Sequence, residues 1–159
     1  MKTIIFLRGI DSPLKRQLSQ QIMQVLNPDV NGVRAIKISL SQFIERPDDK
    51  GAVKAADRSV KNLLKKILFN HSETHILIDN ESSLPLHWQS FISLVKEWKQ
   101  EVSFWGIDVP TEAQRAATDV KRSNFHATNS AQFKLDMDKY ISVNIDQQDD
   151  MLREFAKAL

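Results

Sequence analysis

A glycine and a lysine near the N-terminus have the spacing of a loop that binds phosphate groups. In that loop, G-x-x-x-x-G-K-[ST], a strand leads through a glycine-rich turn into a helix. Gly9 and Lys15 of this chain occupy the first glycine and the lysine of the pattern. Leu14 replaces the second glycine, and Arg16 replaces the hydroxyl residue that would bind magnesium. The spacing therefore predicts an ancestral phosphate site whose metal-binding position has changed.

Such a loop binds anions because its backbone N–H groups and the dipole of the following helix both point at the ligand. A guanidinium cannot coordinate magnesium, although it can bind a phosphate directly. Leu14 would cost about 1–3 kcal/mol if it had to take the positive φ that glycine tolerates. Three outcomes stay open: binding of Mg-ATP, binding of an anion without turnover, and a helix start without a ligand. The candidate phosphate-binding residues of the loop are Gly9, Asp11, Ser12, Lys15 and Arg16.

The elements that must hold this loop alternate between strands and helices. Apolar runs predict strands over 3–8, 33–38, 75–79, 101–109 and 141–146. Helical spacing predicts helices over 14–26, 52–69, 85–98, 111–122, 131–140 and 147–159, with a loop over 46–51. The alternation predicts an α/β three-layer sandwich with a mostly parallel five-stranded sheet and helices on both faces. We expect residues 1–159 to form a single domain.

The charge balance, the lack of cysteine and the short N-terminal apolar run exclude several classes of protein. The 22 Lys and Arg nearly balance the 20 Asp and Glu, so the formal charge of +2 does not demand a polyanionic partner. The chain has no cysteine, which excludes disulfides, thiol catalysis and zinc sites built on cysteine. The N-terminal apolar run is too short for a signal sequence or a membrane span. These features predict a cytoplasmic protein without a membrane partner.

Several segments together resemble the P-loop kinase family that includes bacteriophage polynucleotide 5′-kinase domains and zeta-toxin-like nucleotide kinases. Residues 4–15 resemble its first strand and loop, 76–85 its hydrophobic strand with a following turn and proline, and 105–110 the strand that leads into its lid helix. Residues 141–159 resemble its C-terminal strand and helix. The resemblance implies a P-loop NTPase-like fold, with ATP and Mg²⁺ as expected cofactors.

The sequence lacks some of the residues that the family uses for catalysis. The family's catalytic aspartate after the second strand has no counterpart, because residues 38–43 contain no carboxylate. The resemblance makes Arg122 of the lid segment a phosphate-binding candidate, with Arg115 and Lys121 beside it. Asp79, at the end of the third predicted strand, either binds magnesium or caps the following turn. No catalytic residue is assigned.

Three hypotheses for function follow. The first is a degenerate nucleotide or polynucleotide kinase-like protein with weak or no phosphotransferase activity, which acts as a binding or regulatory module. The second is an active ATP-dependent kinase or NTPase with an atypical loop, and the third is a homo-oligomeric interaction protein. Besides a nucleotide, the expected partner is a nucleic acid or a protein. The helix over 52–69 carries a basic side that is either a nucleic-acid groove or a solvated surface.

Overall fold

The structure is a computed structural model that describes residues 2–9, 13–27, 35–39, 50–70, 75–81, 87–109, 130–143 and 148–157. Its strands are β1 (Lys2–Gly9), β2 (Ala35–Ser39), β3 (His75–Glu81), β4 (Val102–Asp108) and β5 (Lys139–Ser142). Its helices are α1 (Pro13–Leu26), α2 (Lys50–Asn70), α3 (His87–Glu97), a helical segment α4 over 130–136, and α5 (Gln148–Lys157). None of the helices in these ranges is both long and apolar enough to cross a membrane.

The five strands form one parallel sheet in the order β2-β3-β1-β4-β5. β1 lies at the centre and is buried along almost its whole length, which is why its sequence is a continuous apolar run. Because all strands run in one direction, their carboxyl ends meet at the same edge, where α/β folds bind ligands. The predicted α/β architecture with a five-stranded parallel sheet is confirmed.

Alternate residues of each strand face two different cores. Ile4 and Phe6 of β1 face the core formed with α2, α3 and Phe133. Ile5 and Leu7 face the opposite core, which α1 and Leu152 of α5 complete. The helices therefore cover both faces of the sheet. Even-numbered residues of β1 face one core and odd-numbered residues face the other.

The ends of two elements differ from the sequence predictions. The predicted helix over 131–140 ends at residue 136, and β5 covers Lys139–Ser142 instead of 141–146. Asp138 causes the early change: its N–H donates to Phe104 O, and its carboxylate accepts the Phe104 N–H, both at 2.8 Å. These bonds align Lys139 with Trp105 of β4, so sheet pairing overrides the helical spacing. Likewise, α2 begins at Lys50, inside the predicted loop.

Gly106 of β4 allows the segment after it in the chain to approach the sheet closely. A Cβ at this position would lie 2.6 Å from Met137 Cγ and 2.8 Å from Phe133 Cζ. Real Cβ atoms do not come this close, so any larger residue would push both side chains away. Gly106 thereby fixes the position of the Phe133 ring, which forms part of the site described below.

Candidate functional site

The lysine of the phosphate-loop pattern lies in the first turn of α1, at the carboxyl edge of the sheet. Lys15 is only 3% exposed, so its side chain is buried and not solvated. Its Nζ lies 3.0 Å from Asp79 Oδ1 near the end of β3. β3 pairs with β1, and Asp79 is in register with Leu7, two residues before Gly9. The structure thus brings Lys15 and Asp79 into contact at the carboxyl edge, near the end of β1.

A second lysine, which the sequence reasoning missed, contacts the same carboxylate. Lys37 of β2 places its Nζ 3.6 Å from Asp79 Oδ2. Asp79 is 12% exposed and Lys37 is 32% exposed, so this side of the cluster opens toward solvent. Two cations and one anion leave a net charge of +1 within the cluster.

The electrostatics of α1 favour an anion at its start. The first turn contains Lys15 and Arg16 but no acidic residue. Cations at the positive end of a helix dipole each cost about 0.3–1 kcal/mol when exposed. Asp79 offsets part of this cost, and an anionic ligand at the same end would offset more of it.

The residues that depart from the loop pattern fit the helix. Pro13 is the first residue of α1, where its missing N–H is not needed. Leu14 follows it and packs against the core on the α1 side of the sheet. Lys99 is the only non-glycine residue with a positive φ in the described ranges, so Leu14 does not have the strained backbone that glycine would have relieved. Arg16 is exposed.

Three candidate residues cannot be placed. Asp11 and Ser12 of the loop, and Arg122 of the lid segment, lie outside the described residues. The predicted lid helix over 111–122 lies outside them as well. Their assignment as phosphate-binding residues stays a prediction.

A buried ion pair lies on the other face of the same sheet edge. Arg8 and Asp108 end neighbouring strands in direct register and are 6% and 2% exposed. Arg8 Nη1 donates to Asp108 at 3.2 and 3.3 Å and to Ser130 Oγ at 3.0 Å. Burial lowers the pKa of Arg8, while the charge of Asp108 opposes the change. The pair ties together β1, β4 and the start of α4.

The Arg8 guanidinium packs against two aromatic rings that also contact each other, with their centroids 5.0 Å apart. Its Cζ lies 5.3 Å from the Trp88 ring centroid and 5.4 Å from that of Phe133, both within cation–π range. Trp88 is held in turn by Asp136, which accepts its indole N–H at 2.8 Å and the Gln89 amide at 2.9 Å. Burial alone would raise the pKa of Asp136, but hydrogen bonds from its neighbours lower it overall. The rings and the ion pair therefore form one connected unit.

The chain's single tyrosine joins this unit and provides a direct reporter of it. The Tyr140 hydroxyl donates to Asp108 Oδ2 at 3.1 Å. Burial and then the charge of Asp108 raise the pKa of Tyr140 from 10.0 to about 12. Because the pKa of Tyr140 is higher in the folded than in the unfolded protein, the protonated hydroxyl stabilises the folded state. This contribution to the free energy of unfolding is complete below pH 10.0 and is lost as the pH rises toward about 12.

We therefore expect the tyrosinate absorbance of the native protein to rise near pH 12, and that of the urea-unfolded protein near pH 10. In Tyr140→Phe, the free energy of unfolding should no longer show the decrease that Tyr140 causes between these two pH values. Ionisation of Tyr140 near pH 10 in the native protein would contradict the hydrogen bond to Asp108.

Helix α2 concentrates positive charge on one exposed surface. Its six Lys and Arg against one Asp give a net charge of +5, so the rest of the chain, whose total is +2, sums to −3. Lys61 pairs with Asp57 at 2.6 Å, and Lys65 lies over the Phe69 and Trp98 rings. All but the half-buried Lys61 are exposed. The basic residues are Lys50, Lys54, Arg58, Lys61, Lys65 and Lys66.

Most of the large aromatic residues of α3 and β4 belong to the core. Trp88, Phe91, Phe104 and Trp105 are buried, and Trp98 packs partly buried against the α2–α3 core. Within the described ranges, no group of three or more His, Cys, Asp or Glu side chains is placed to hold a metal ion.

Solved structures share this fold at low sequence identity. The tunicamycin resistance protein of Deinococcus radiodurans aligns with a TM-score of 0.57 and 10% identity, covering 98% of this chain and 92% of that chain. A sugar kinase from Janibacter sp. aligns with a TM-score of 0.55 and 12% identity, covering 99% and 94%. No protein-family model and no curated protein sequence matches. The chain therefore shares the fold of these two proteins, a parallel sheet with helices on both faces.

Proposed function

We propose that this chain is a nucleotide-binding protein with weak or no phosphotransferase activity, and that it acts as a binding or regulatory module. The observation that carries the proposal is the buried Lys15 at the carboxyl edge, 3.0 Å from Asp79, in the first turn of a helix without acidic residues. A lysine in this place is suited to hold a polyphosphate against the helix N-terminus. The similarity of the fold to that of a sugar kinase supports a nucleotide as the ligand.

The weak activity follows from what surrounds the lysine. Phosphoryl transfer depends on positioned charge, above all on a metal ion that neutralises the transferred phosphate. Arg16 stands where the metal-binding hydroxyl would be, and residues 38–43 contain no carboxylate to accept a substrate proton. The losses affect the reaction step more than ground-state binding, so binding can persist without turnover.

A thermal-unfolding titration tests this proposal. A nucleotide at 100 times its dissociation constant stabilises the folded state by about 2.7 kcal/mol, which is readily measured. We expect ATP and ADP to raise the midpoint temperature, with no phosphate release over hours. Absence of any shift at millimolar ATP would contradict the proposal and leave the oligomeric interaction protein as the better hypothesis.

The alternative is an active ATP-dependent kinase or NTPase, with Lys15 and Arg16 on the phosphates and Asp79 on magnesium. The retained Lys15 and the carboxylate beside it favour this reading. Magnesium-dependent release or transfer of the terminal phosphate, abolished by Lys15→Met, would establish it.

The net charge of +5 on α2 supports a nucleic acid as the partner of the module. Binding to phosphate groups weakens steeply with salt, so anisotropy of a labelled oligonucleotide at two salt concentrations tests this part. Equal affinity at both concentrations would argue for a protein partner instead.

A further inference from the structure

Each oxygen of the Asp79 carboxylate is contacted by a different ammonium group. Lys15 Nζ lies 3.0 Å from Oδ1, and Lys37 Nζ lies 3.6 Å from Oδ2. The two lysines come from different elements, the first turn of α1 and strand β2. Asp79 is therefore shared between two cations.

The sheet register explains why Lys37 reaches this point. β2 pairs with β3 so that Lys37 is opposite Leu77 and Ser39 is opposite Asp79. Lys37 and Asp79 thus lie on the same face, two residues apart along the strand direction, which a lysine side chain can span. Its 32% exposure leaves the ammonium group in contact with solvent.

A magnesium ion does not fit these residues. Mg²⁺ requires near-octahedral oxygen ligands at about 2.0–2.1 Å. At Asp79 it would compete with two ammonium groups already on the carboxylate oxygens, and both would repel it. Arg16, in the place of the metal-binding hydroxyl, offers a further positive charge instead of an oxygen.

We infer that Lys37 supplies the positive charge that a metal ion would otherwise bring, so that the site binds a metal-free polyphosphate such as uncomplexed ATP. This inference rests on the proposed nucleotide binding and assigns its ligand form. Asp79 holds Lys15 and Lys37 apart and oriented until the phosphate arrives. The partly exposed Lys37 then turns toward the phosphate, while Lys15 approaches it from α1.

Calorimetric titration of the full chain with ATP, in excess EDTA and in excess Mg²⁺, tests the inference. We expect ATP to bind on the order of tenfold tighter in EDTA, because complexation removes two negative charges from the ligand. Lys37→Ala should lose about tenfold in EDTA and much less in Mg²⁺. Lys139→Ala is the matched control, since Lys139 is also a partly buried lysine on an edge strand, β5 at the opposite side of the sheet, and this variant should bind as the wild type does.

Asp79→Asn separates the two roles of the carboxylate. If Asp79 orients two lysines, the amide should leave ATP binding in EDTA intact or tighten it several-fold, because no carboxylate competes with the phosphate. If Asp79 binds magnesium, the substitution should abolish a magnesium-dependent complex. Binding that requires Mg²⁺, or Lys37→Ala that binds like the wild type in EDTA, would overturn the inference alone. Absence of ATP binding under both conditions would overturn the proposed function as well.

Discussion

Arg8→Ala is expected to lower the free energy of unfolding by about 3–5 kcal/mol, because it removes one partner of a buried ion pair. Asp108 is 2% exposed, and Arg8 contacts both of its oxygens. The substitution also removes the cation that packs against the Trp88 and Phe133 rings. Urea unfolding, followed by tryptophan fluorescence, measures the change.

A pair of further variants shows whether the charge or the packing is responsible. Arg8→Met/Asp108→Leu removes both charges, and such replacements of a buried pair are often neutral or stabilising. We expect this double variant to be more stable than Arg8→Ala, although the hydroxyl of Tyr140 then loses its acceptor. A loss below about 1 kcal/mol for Arg8→Ala would mean that water reaches Asp108, contrary to its burial.

Lys15→Met is expected to weaken ATP binding by roughly 10- to 150-fold, the equivalent of about 1.5–3 kcal/mol for hydrogen bonds to a charged group. Methionine keeps most of the apolar stem of this buried side chain and removes only the charge, so the fold should persist. Calorimetric titration measures the affinity, and circular dichroism checks the helices.

The control for this variant is Lys157→Met, which makes the same change of charge. Lys157 is 74% exposed and pairs with Glu154 at the surface of α5. Wild-type affinity in Lys157→Met, together with the loss in Lys15→Met, would assign the effect to the site. Equal affinity in all three proteins would place ATP elsewhere.

The spacing of apolar residues along the sequence was enough to predict the α/β architecture. Each of the five strands was predicted at its approximate position, because central parallel strands are continuous apolar runs such as 3–8. The least accurate boundary was that of β5, since Tyr140 fits helical spacing as well as strand alternation. Two hydrogen bonds between Asp138 and Phe104, one of them from the Phe104 N–H to the Asp138 carboxylate, favour the strand, and a contact between such distant residues leaves no local signal.

The candidate site was predictable only where a motif marked it. The loop spacing and the strand-end position led to Lys15 and Asp79, whereas Lys37 carried no signal because its role depends on the pairing of β2 with β3. Arg8 and Asp108 did leave a trace, as charged residues at the ends of two apolar strands. Their pairing becomes visible only when β1 and β4 are known to be neighbours.

The most direct test of a retained nucleotide site without phosphoryl transfer follows ATP labelled at its terminal phosphate. The protein is equilibrated with labelled ATP across a dialysis membrane, with magnesium and with EDTA, and the bound label is then recovered and identified. We predict that label accumulates on the protein side and is recovered as intact ATP. Label recovered as free phosphate or on another molecule, at a rate that Lys15→Met abolishes, would contradict the account, and so would the absence of any accumulation.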